Sequence, residues 1–171
     1  MRGVAVMSVL LGMSAAGLAE EPATPPTKKA CESPEHRQFD FWVGEWSVTQ
    51  AGKPAGTNRI ERILDGCAVL ESWTGASGYR GNSLNFYDPA RKRWHQTWIG
   101  TDGQGLALDG EFIGGKMVLA GTRLDLATKK TIHDRITWAP HADGTLRQTW
   151  ETSEDEKTWS IIFDGHYSRA R

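Results

Sequence analysis

The sequence predicts an all-β fold, a single up-and-down antiparallel β-barrel of about ten strands with a short N-terminal helix. From residue 45 onward, segments of alternating polar and apolar residues are separated by turn residues, at intervals typical of short sequential strands. No long stretch after residue 45 has a helical period. Short connections favour antiparallel pairing of neighbouring strands, and closure into a barrel removes the exposed sheet edges.

The predicted strands are separated by strong turn signals such as Asp88-Pro89, Asp102-Gly103 and Asp143-Gly144. A β-sandwich is the alternative, because two packed sheets would bury the same alternating residues. The barrel is favoured because no connection is long enough for a Greek-key crossover. The ten segments are 45–50, 57–64, 67–74, 81–88, 93–100, 105–112, 116–122, 130–139, 145–152 and 159–168.

The first 19 residues have the features of a signal peptide. Arg2 provides a positive charge, an apolar run follows at 4–13, and Gly17-Leu18-Ala19 has the small-x-small pattern of a cleavage site. We expect cleavage near Ala19 and export to the periplasm or the medium. The alternative is that the segment is retained as an N-terminal anchor. The apolar run is too short for a good transmembrane helix, so stable membrane insertion is not expected.

After the signal peptide, residues 20–32 form a polar, proline-rich leader, and 33–171 form the barrel domain. Ser33-Pro34-Glu35 is a helix-start signal, with Ser33 as the capping residue, for a short helix that continues to about Phe39. Because disulfides persist in exported proteins, Cys31 and Cys67 are predicted to pair. Two buried free thiols are the alternative.

The formal net charge of −1 argues against a nucleic-acid partner, which would require a basic face. The five histidines are scattered without metal-ligand spacing, so no metal site is predicted. A GxSxG nucleophile motif is absent, and no catalytic residue is assigned. Because the sequence indicates no substrate, a binding protein is favoured over an enzyme.

Strand alternation places tryptophan, glutamine and one glutamate on the inner wall of the barrel. Three interpretations remain open: a filled interior in which these side chains pack only against one another, a cavity for a small apolar or aromatic molecule, and an enzyme in which Glu71 is the general acid or base. The predicted ligand-binding residues are Glu71, Trp73, Trp94, Gln96, Trp98, Gln148 and Trp150.

Gly44-Glu45-Trp46, which opens the first strand after the short helix, resembles the Gly-x-Trp signature of the calycin superfamily. That superfamily includes lipocalins, fatty-acid-binding proteins and nitrobindin-like ten-stranded barrels. The resemblance implies that Trp46 packs across the closed end of the barrel against Arg169. The segments FDFWVGEW, GCAVLESW, WHQTW, RQTWE and DGHYSR are similar to an uncharacterised family of exported bacterial proteins with a lipocalin-like barrel. That family implies no established activity.

Nitrobindin-like barrels bind ferric haem through a histidine, and His166 is the positional candidate for such a ligand. The sequence has no other haem-ligand pattern, and we expect His166 to lie on the surface or at the end of the barrel. No cofactor is therefore predicted. The leading hypothesis is an exported module that holds a small, partly apolar molecule in a cavity lined by Trp and Gln.

Overall fold

The computed structural model describes residues 30–170, which form a barrel of ten antiparallel strands. The predicted signal peptide and most of the predicted leader lie outside the described residues. The strands are β1 (Gly44–Gln50), β2 (Lys53–Ile63), β3 (Ala68–Gly75), β4 (Arg80–Asp88), β5 (Arg93–Gly100), β6 (Gly105–Ile113), β7 (Lys116–Leu124), β8 (Thr131–Pro140), β9 (Leu146–Ser153) and β10 (Ser160–Arg169).

Each strand pairs with the next in the chain, and β1 pairs with β10 to close the sheet. At the closure Val48 lies opposite Tyr167, and Trp46 lies opposite Arg169. The predicted up-and-down barrel is therefore confirmed, and the sandwich alternative is wrong. The physical reason is that short connections let every strand pair with its neighbour, so that the first and last strands are left to pair with each other.

The two ends of the barrel differ because the chain enters at one of them. The N-terminal segment contains two 3-10 helices, Pro34–Arg37 and Asp40–Trp42, at the end where β1 begins. We call this the closed end. The opposite end carries the loops 51–52, 76–79, 101–104, 125–130 and 154–159, and we call it the open end.

Aromatic side chains fill the closed end. Phe39 and Trp42 are fully buried and stack with ring centroids 4.7 Å apart. Phe39 also meets Trp94 and Trp138 edge-on, with centroid separations of 5.5 and 5.2 Å. The predicted short helix is thus two 3-10 turns. Ser33 does not cap the first one, because its hydroxyl donates to the Glu35 carboxylate at 2.6 Å.

Trp46 and Arg169 meet at the closed end, as the resemblance implied. The guanidinium carbon of Arg169 lies 3.8 Å from the centroid of the Trp46 ring, and its Nη1 donates to the Val43 carbonyl at 2.6 Å. Gly44 has a φ of 133°, and a side chain there would overlap the Arg169 guanidinium. Glycine at this position therefore lets the arginine cross over the indole.

A disulfide joins Cys31 to Cys67, as predicted. Cys67 lies between a third 3-10 helix, Leu64–Gly66, and the start of β3, so the bridge anchors the N-terminal segment to the closed end. A disulfide indicates an oxidising compartment such as that of exported proteins. None of the helices within residues 30–170 is both long and apolar enough to cross a lipid bilayer.

Candidate functional site

A cavity of about 280 Å³ occupies the half of the barrel nearer the open end. Its walls are mainly aromatic and aliphatic, and its polar groups are concentrated on a few side chains from β3, β5, β9 and β10. The lining residues are Glu71, Trp73, Tyr79, Gln96, Trp98, Leu106, Ile136, Trp138, Gln148, Trp150, Ile162, Phe163 and Tyr167.

Several rings of the cavity lie against glycines of the wall. A Cβ at Gly81 would overlap the Trp98 indole, and one at Gly100 would overlap the Tyr79 hydroxyl. A Cβ at Gly165 would lie only 2.7 Å from Cζ of Phe163. Because glycine has no side chain, these rings lie against the wall instead of projecting into the centre. The glycines therefore help to keep the barrel hollow.

Glu71 is the carboxylate at the base of the cavity, and its side chain is almost completely buried. Asn58 Nδ2 donates to Oε1 of Glu71 at 2.7 Å, and the Ser83 hydroxyl donates to Oε2 at 2.6 Å. Burial raises the pKa of Glu71 to about 7, although the hydrogen bonds from Ser83 and Asn58 lower it. Near neutral pH this side chain therefore exists in both protonation states.

The polar cluster continues from Glu71 along β4 and β5. Asn85 Nδ2 donates to the Ser83 hydroxyl at 2.8 Å and to the Val69 carbonyl at 3.1 Å. The carbonyl contact fixes the amide orientation, so that Asn85 Oδ1 accepts from Gln96 Nε2 at 2.7 Å. Consequently the Gln96 amide is anchored through its nitrogen, and its oxygen is left as an acceptor.

On the other side of Glu71 the cluster reaches β10 and β9. Asn58 Nδ2 lies 3.4 Å from the Tyr167 hydroxyl, which in turn donates to Gln148 Oε1. Burial raises the pKa of Tyr167, and the Glu71 charge raises it further, so this phenol remains protonated. Gln148 is thereby anchored through its oxygen, and its NH₂ group is left as a donor.

Buried Asn58 Oδ1 has no hydrogen-bond partner in residues 30–170. Leaving such an acceptor unpaired costs about 1–3 kcal/mol. The cluster of Asn58, Glu71, Ser83, Asn85, Gln96, Gln148 and Tyr167 is therefore connected by hydrogen bonds but not saturated by them.

Trp150 is held at the cavity wall by a buried acid. Its indole Nε1 donates to Asp134 Oδ1 at 2.8 Å, and Arg123 Nε lies 3.1 Å from Asp134 Oδ2. Burial raises the pKa of Asp134, and the Trp150 hydrogen bond and the Arg123 charge oppose that effect. The three side chains fix the orientation of one aromatic wall.

Comparison with known proteins adds no relative: no family model matches the chain, and no curated protein matches it.

Six of the seven residues predicted to bind a ligand line this cavity: Glu71, Trp73, Gln96, Trp98, Gln148 and Trp150. Trp94 does not. Trp94 shares the inner face of β5 with Gln96 and Trp98. It lies two residues nearer the closed end than Gln96. There it packs edge-on against Phe39, and its Nε1 donates to Gln38 Oε1 at 3.1 Å. Trp94 is part of the filled end.

His166 faces away from the cavity. Its neighbour Tyr167 points inward, so strand alternation turns the imidazole to the outer wall, where its side chain is 59% exposed. No histidine is among the cavity-lining residues that the structure describes. The residues present therefore do not fit a haem held through His166. Nor do the described residues contain a cluster of three metal-ligating side chains.

Sequence reasoning missed part of the site. The lining residues not predicted are Tyr79, Leu106, Ile136, Trp138, Ile162, Phe163 and Tyr167, and the polar partners not predicted are Asn58, Ser83 and Asn85. Gly81, Ser83 and Asn85 occupy every second position of β4 and therefore share one face. Small and polar residues on that face indicate a polar inner wall at this strand. β4 has no tryptophan, so the tryptophan pattern that predicts the inner wall on β3, β5 and β9 does not extend to it.

Proposed function

We propose that this protein is exported and binds a small, partly apolar molecule inside the barrel. The main support for ligand binding is the cavity of about 280 Å³, whose walls are aromatic and whose base has a few converging polar groups. Ligand pockets generally combine apolar walls with a small number of placed polar groups. The ligand reaches the cavity from the open end, since stacked aromatic rings occupy the closed end.

A filled barrel acting only through its surface is the competing interpretation. Small barrels are usually filled by their own side chains. Here the Trp98 and Tyr79 rings lie over Gly81 and Gly100, which leaves the space unfilled. The cavity volume of about 280 Å³ lies just below the ~300–1,000 Å³ typical of ligand pockets. A compact ring compound or a short-chain molecule matches this volume.

Export is supported by two independent features. The N-terminal residues have the charge and apolar pattern of a signal peptide, and Cys31 and Cys67 form a disulfide. We therefore propose that the ligand is met in the periplasm or outside the cell.

Native mass spectrometry of the protein purified from its own host tests the proposal directly. The expected result is a mass above that of the disulfide-bonded chain, with the excess lost on gentle activation. Tryptophan fluorescence of the ligand-free protein should then change on titration with the released compound, because several indoles line the cavity. Protein that carries no molecule and shows no saturable response to small aromatic or short-chain compounds would refute ligand binding.

An enzyme that uses the same cavity is the second candidate. It is favoured by one observation: the pKa of Glu71 is raised to about 7, which is where a general acid or base works best at neutral pH. Glu71→Gln should then abolish conversion of the bound compound, measured at ligand concentrations that saturate the variant. If the wild-type protein leaves the bound compound chemically unchanged, the binding role stands and the enzyme does not.

A further inference from the structure

Glu71 is a buried carboxylate without a countercharge in the structure. It is 5% exposed, and its two hydrogen-bond donors, Asn58 and Ser83, are neutral. Glu71 forms no salt bridge with any residue in 30–170, and the lining residues include no Lys, Arg or His. Buried charges in proteins are generally paired, so the ionised form of Glu71 would be stabilised by a cation in the cavity.

The aromatic walls of the cavity around Glu71 also favour a bound cation. Indoles of Trp73, Trp98, Trp138 and Trp150 line the same cavity, and an indole face attracts a positive charge held within about 6 Å of the ring. Desolvation in a mainly apolar cavity strengthens this attraction. Aromatic faces and a carboxylate together select a positively charged group over a neutral one.

A second acceptor lies beside the carboxylate. The Ser83 hydroxyl is 2.6 Å from Glu71 Oε2 and 3.4 Å from Gln96 Nε2, so the Gln96 amide adjoins the acid. Gln96 is 2% exposed, and its Oε1 accepts no hydrogen bond from the described residues. A protonated amine has several N–H donors and can use both Glu71 and Gln96 Oε1 at once.

We infer that the ligand of this cavity is a protonated amine with an aromatic or short apolar body, whose ammonium group pairs with Glu71 and Gln96 at the base. The inference rests on the proposed ligand-binding function and specifies its ligand class. The apolar body lies between the indoles, and the ammonium group points towards β3 and β5.

The pH dependence follows from the groups that face Glu71. The side chains around Glu71 are uncharged near neutral pH. Three of them are neutral polar groups: Asn58 of β2, Ser83 of β4 and Gln96 of β5. The fourth is Tyr167 of β10, whose raised pKa keeps its hydroxyl protonated. The carboxyl of Glu71 is thus the group that titrates near neutrality, at about 7. An alkylammonium stays protonated in this range. Amine affinity should therefore fall as the pH drops below about 7, and binding there should release a proton.

Calorimetry with three indole compounds of similar size tests the inference: tryptamine as the amine, tryptophol as its neutral analogue and indoleacetate as the anion. Near pH 8 tryptamine should bind at least about tenfold more tightly than tryptophol, the typical effect of one charge-assisted hydrogen bond. Indoleacetate should bind most weakly. Near pH 6 the advantage of tryptamine should shrink, and titrations in two buffers of different ionisation enthalpy should show proton release.

Glu71→Gln should remove the preference for tryptamine and leave the tryptophol affinity within about twofold. Glu111→Gln is the matched control, because it removes the same charge from an exposed position on the outer wall of β6. It should keep the preference. The wild-type pH profile and proton count are independent of whether either variant folds.

Equal affinities for tryptamine and tryptophol across the pH range would overturn the amine inference and leave small-molecule binding intact. Failure of all three compounds to bind would count against both this inference and the proposed function. A preference that survives Glu71→Gln would show that the cation is not recognised by this carboxylate, and would also overturn the inference.

Discussion

The indole of Trp98 lies over Gly81 on the neighbouring strand, in the space that a side chain at position 81 would occupy. The two residues belong to β5 and β4, whose register places Ser83 opposite Trp98 and Gly81 opposite Gly100. The glycine is therefore diagonal to the tryptophan on the inner wall. This pairing lets a large ring lie along the wall, and it links one small residue to the volume of the cavity.

Gly81→Ala should reduce both the ligand affinity and the stability of the protein. The new methyl group would overlap the six-membered ring of the Trp98 indole, which would have to shift from its place along the wall. Overpacking of this kind lowers the free energy of unfolding by about 1–3 kcal/mol. We expect the displaced ring also to weaken ligand binding, by about tenfold. Calorimetry with the identified ligand measures the affinity, and urea denaturation measures the stability.

Gly105→Ala is the matched control for that experiment. Gly105 begins β6 at the same end of the barrel, and a Cβ there would meet its nearest atom, the Trp98 carbonyl oxygen, at an ordinary 3.5 Å. Its affinity should equal that of the wild type. Equal losses in both variants would mean that Trp98 does not set the volume available to the ligand.

The strand pattern was sufficient to predict the barrel, because alternation and turn residues are local properties of the chain. The largest boundary difference is at β2, which begins at Lys53 and not at residue 57. Pro54 and Gly56 are residue types common in turns, yet Pro54 lies within β2, opposite Thr49 and next to a bulge at Val48 and Thr49. A bulge tolerates a residue that cannot donate to the ladder, and this is not visible in alternation alone.

The site was only partly predictable, because alternation specifies a face and not a height within the barrel. Trp94 and Trp98 share the inner face of β5, but the N-terminal 3-10 helices fill the end where Trp94 lies. Whether an inward tryptophan lines the cavity or belongs to the filled end therefore depends on tertiary packing, here of Trp94 against Phe39. In the same way, alternation places Glu71 on the inner wall of β3, but it does not show that the donors Asn58 and Ser83 on other strands reach this carboxylate.

Glu71 should make the stability of the ligand-free protein fall as the pH rises. Its pKa is about 7 in the folded protein and near the ordinary glutamate value of 4.5 in the unfolded chain, so between these pH values the folded state binds more protons. The stabilisation is fully present below about pH 4.5 and is lost as the pH passes 7. Its size is roughly 3 kcal/mol.

Urea denaturation of wild type and Glu71→Gln at several pH values measures this effect. Glutamine cannot ionise, so the variant should gain stability relative to the wild type as the pH rises from about 5 to about 8. Glu111→Gln, exposed on the outer wall, should follow the wild-type curve. A constant difference between wild type and Glu71→Gln would show that Glu71 does not titrate in this range.

Arg169→Ala should destabilise the closed end by about 1–2 kcal/mol, because it removes both the cation–π contact with Trp46 and the hydrogen bond to the Val43 carbonyl. Arg169→Lys should recover only part of this loss, since an ammonium lacks the planar group that stacks on the indole. Thermal and urea denaturation give the two values. A change within about 0.5 kcal/mol for Arg169→Ala, as at an ordinary surface position, would argue that the contact contributes little.

Loss of the disulfide should destabilise the protein through the N-terminal segment. Cys31 and Cys67 are 36 residues apart, and closing a loop of this length stabilises by up to ~4 kcal/mol in the chain-entropy view. The double substitution Cys31→Ser and Cys67→Ser should therefore lower the free energy of unfolding by about 3–4 kcal/mol. Adding reductant should lower the melting temperature of the wild type and leave that of the variant unchanged.

Hydrogen exchange locates this effect within the fold. The bridge anchors the segment that carries Phe39 and Trp42 into the closed end, so backbone amides at 35–43 should exchange faster in the double variant. Amides of β8 and β9 beside the cavity should change only as much as the global stability does. Uniform acceleration across all strands would mean that the disulfide acts on the unfolded chain alone and not on the seating of the aromatic segment.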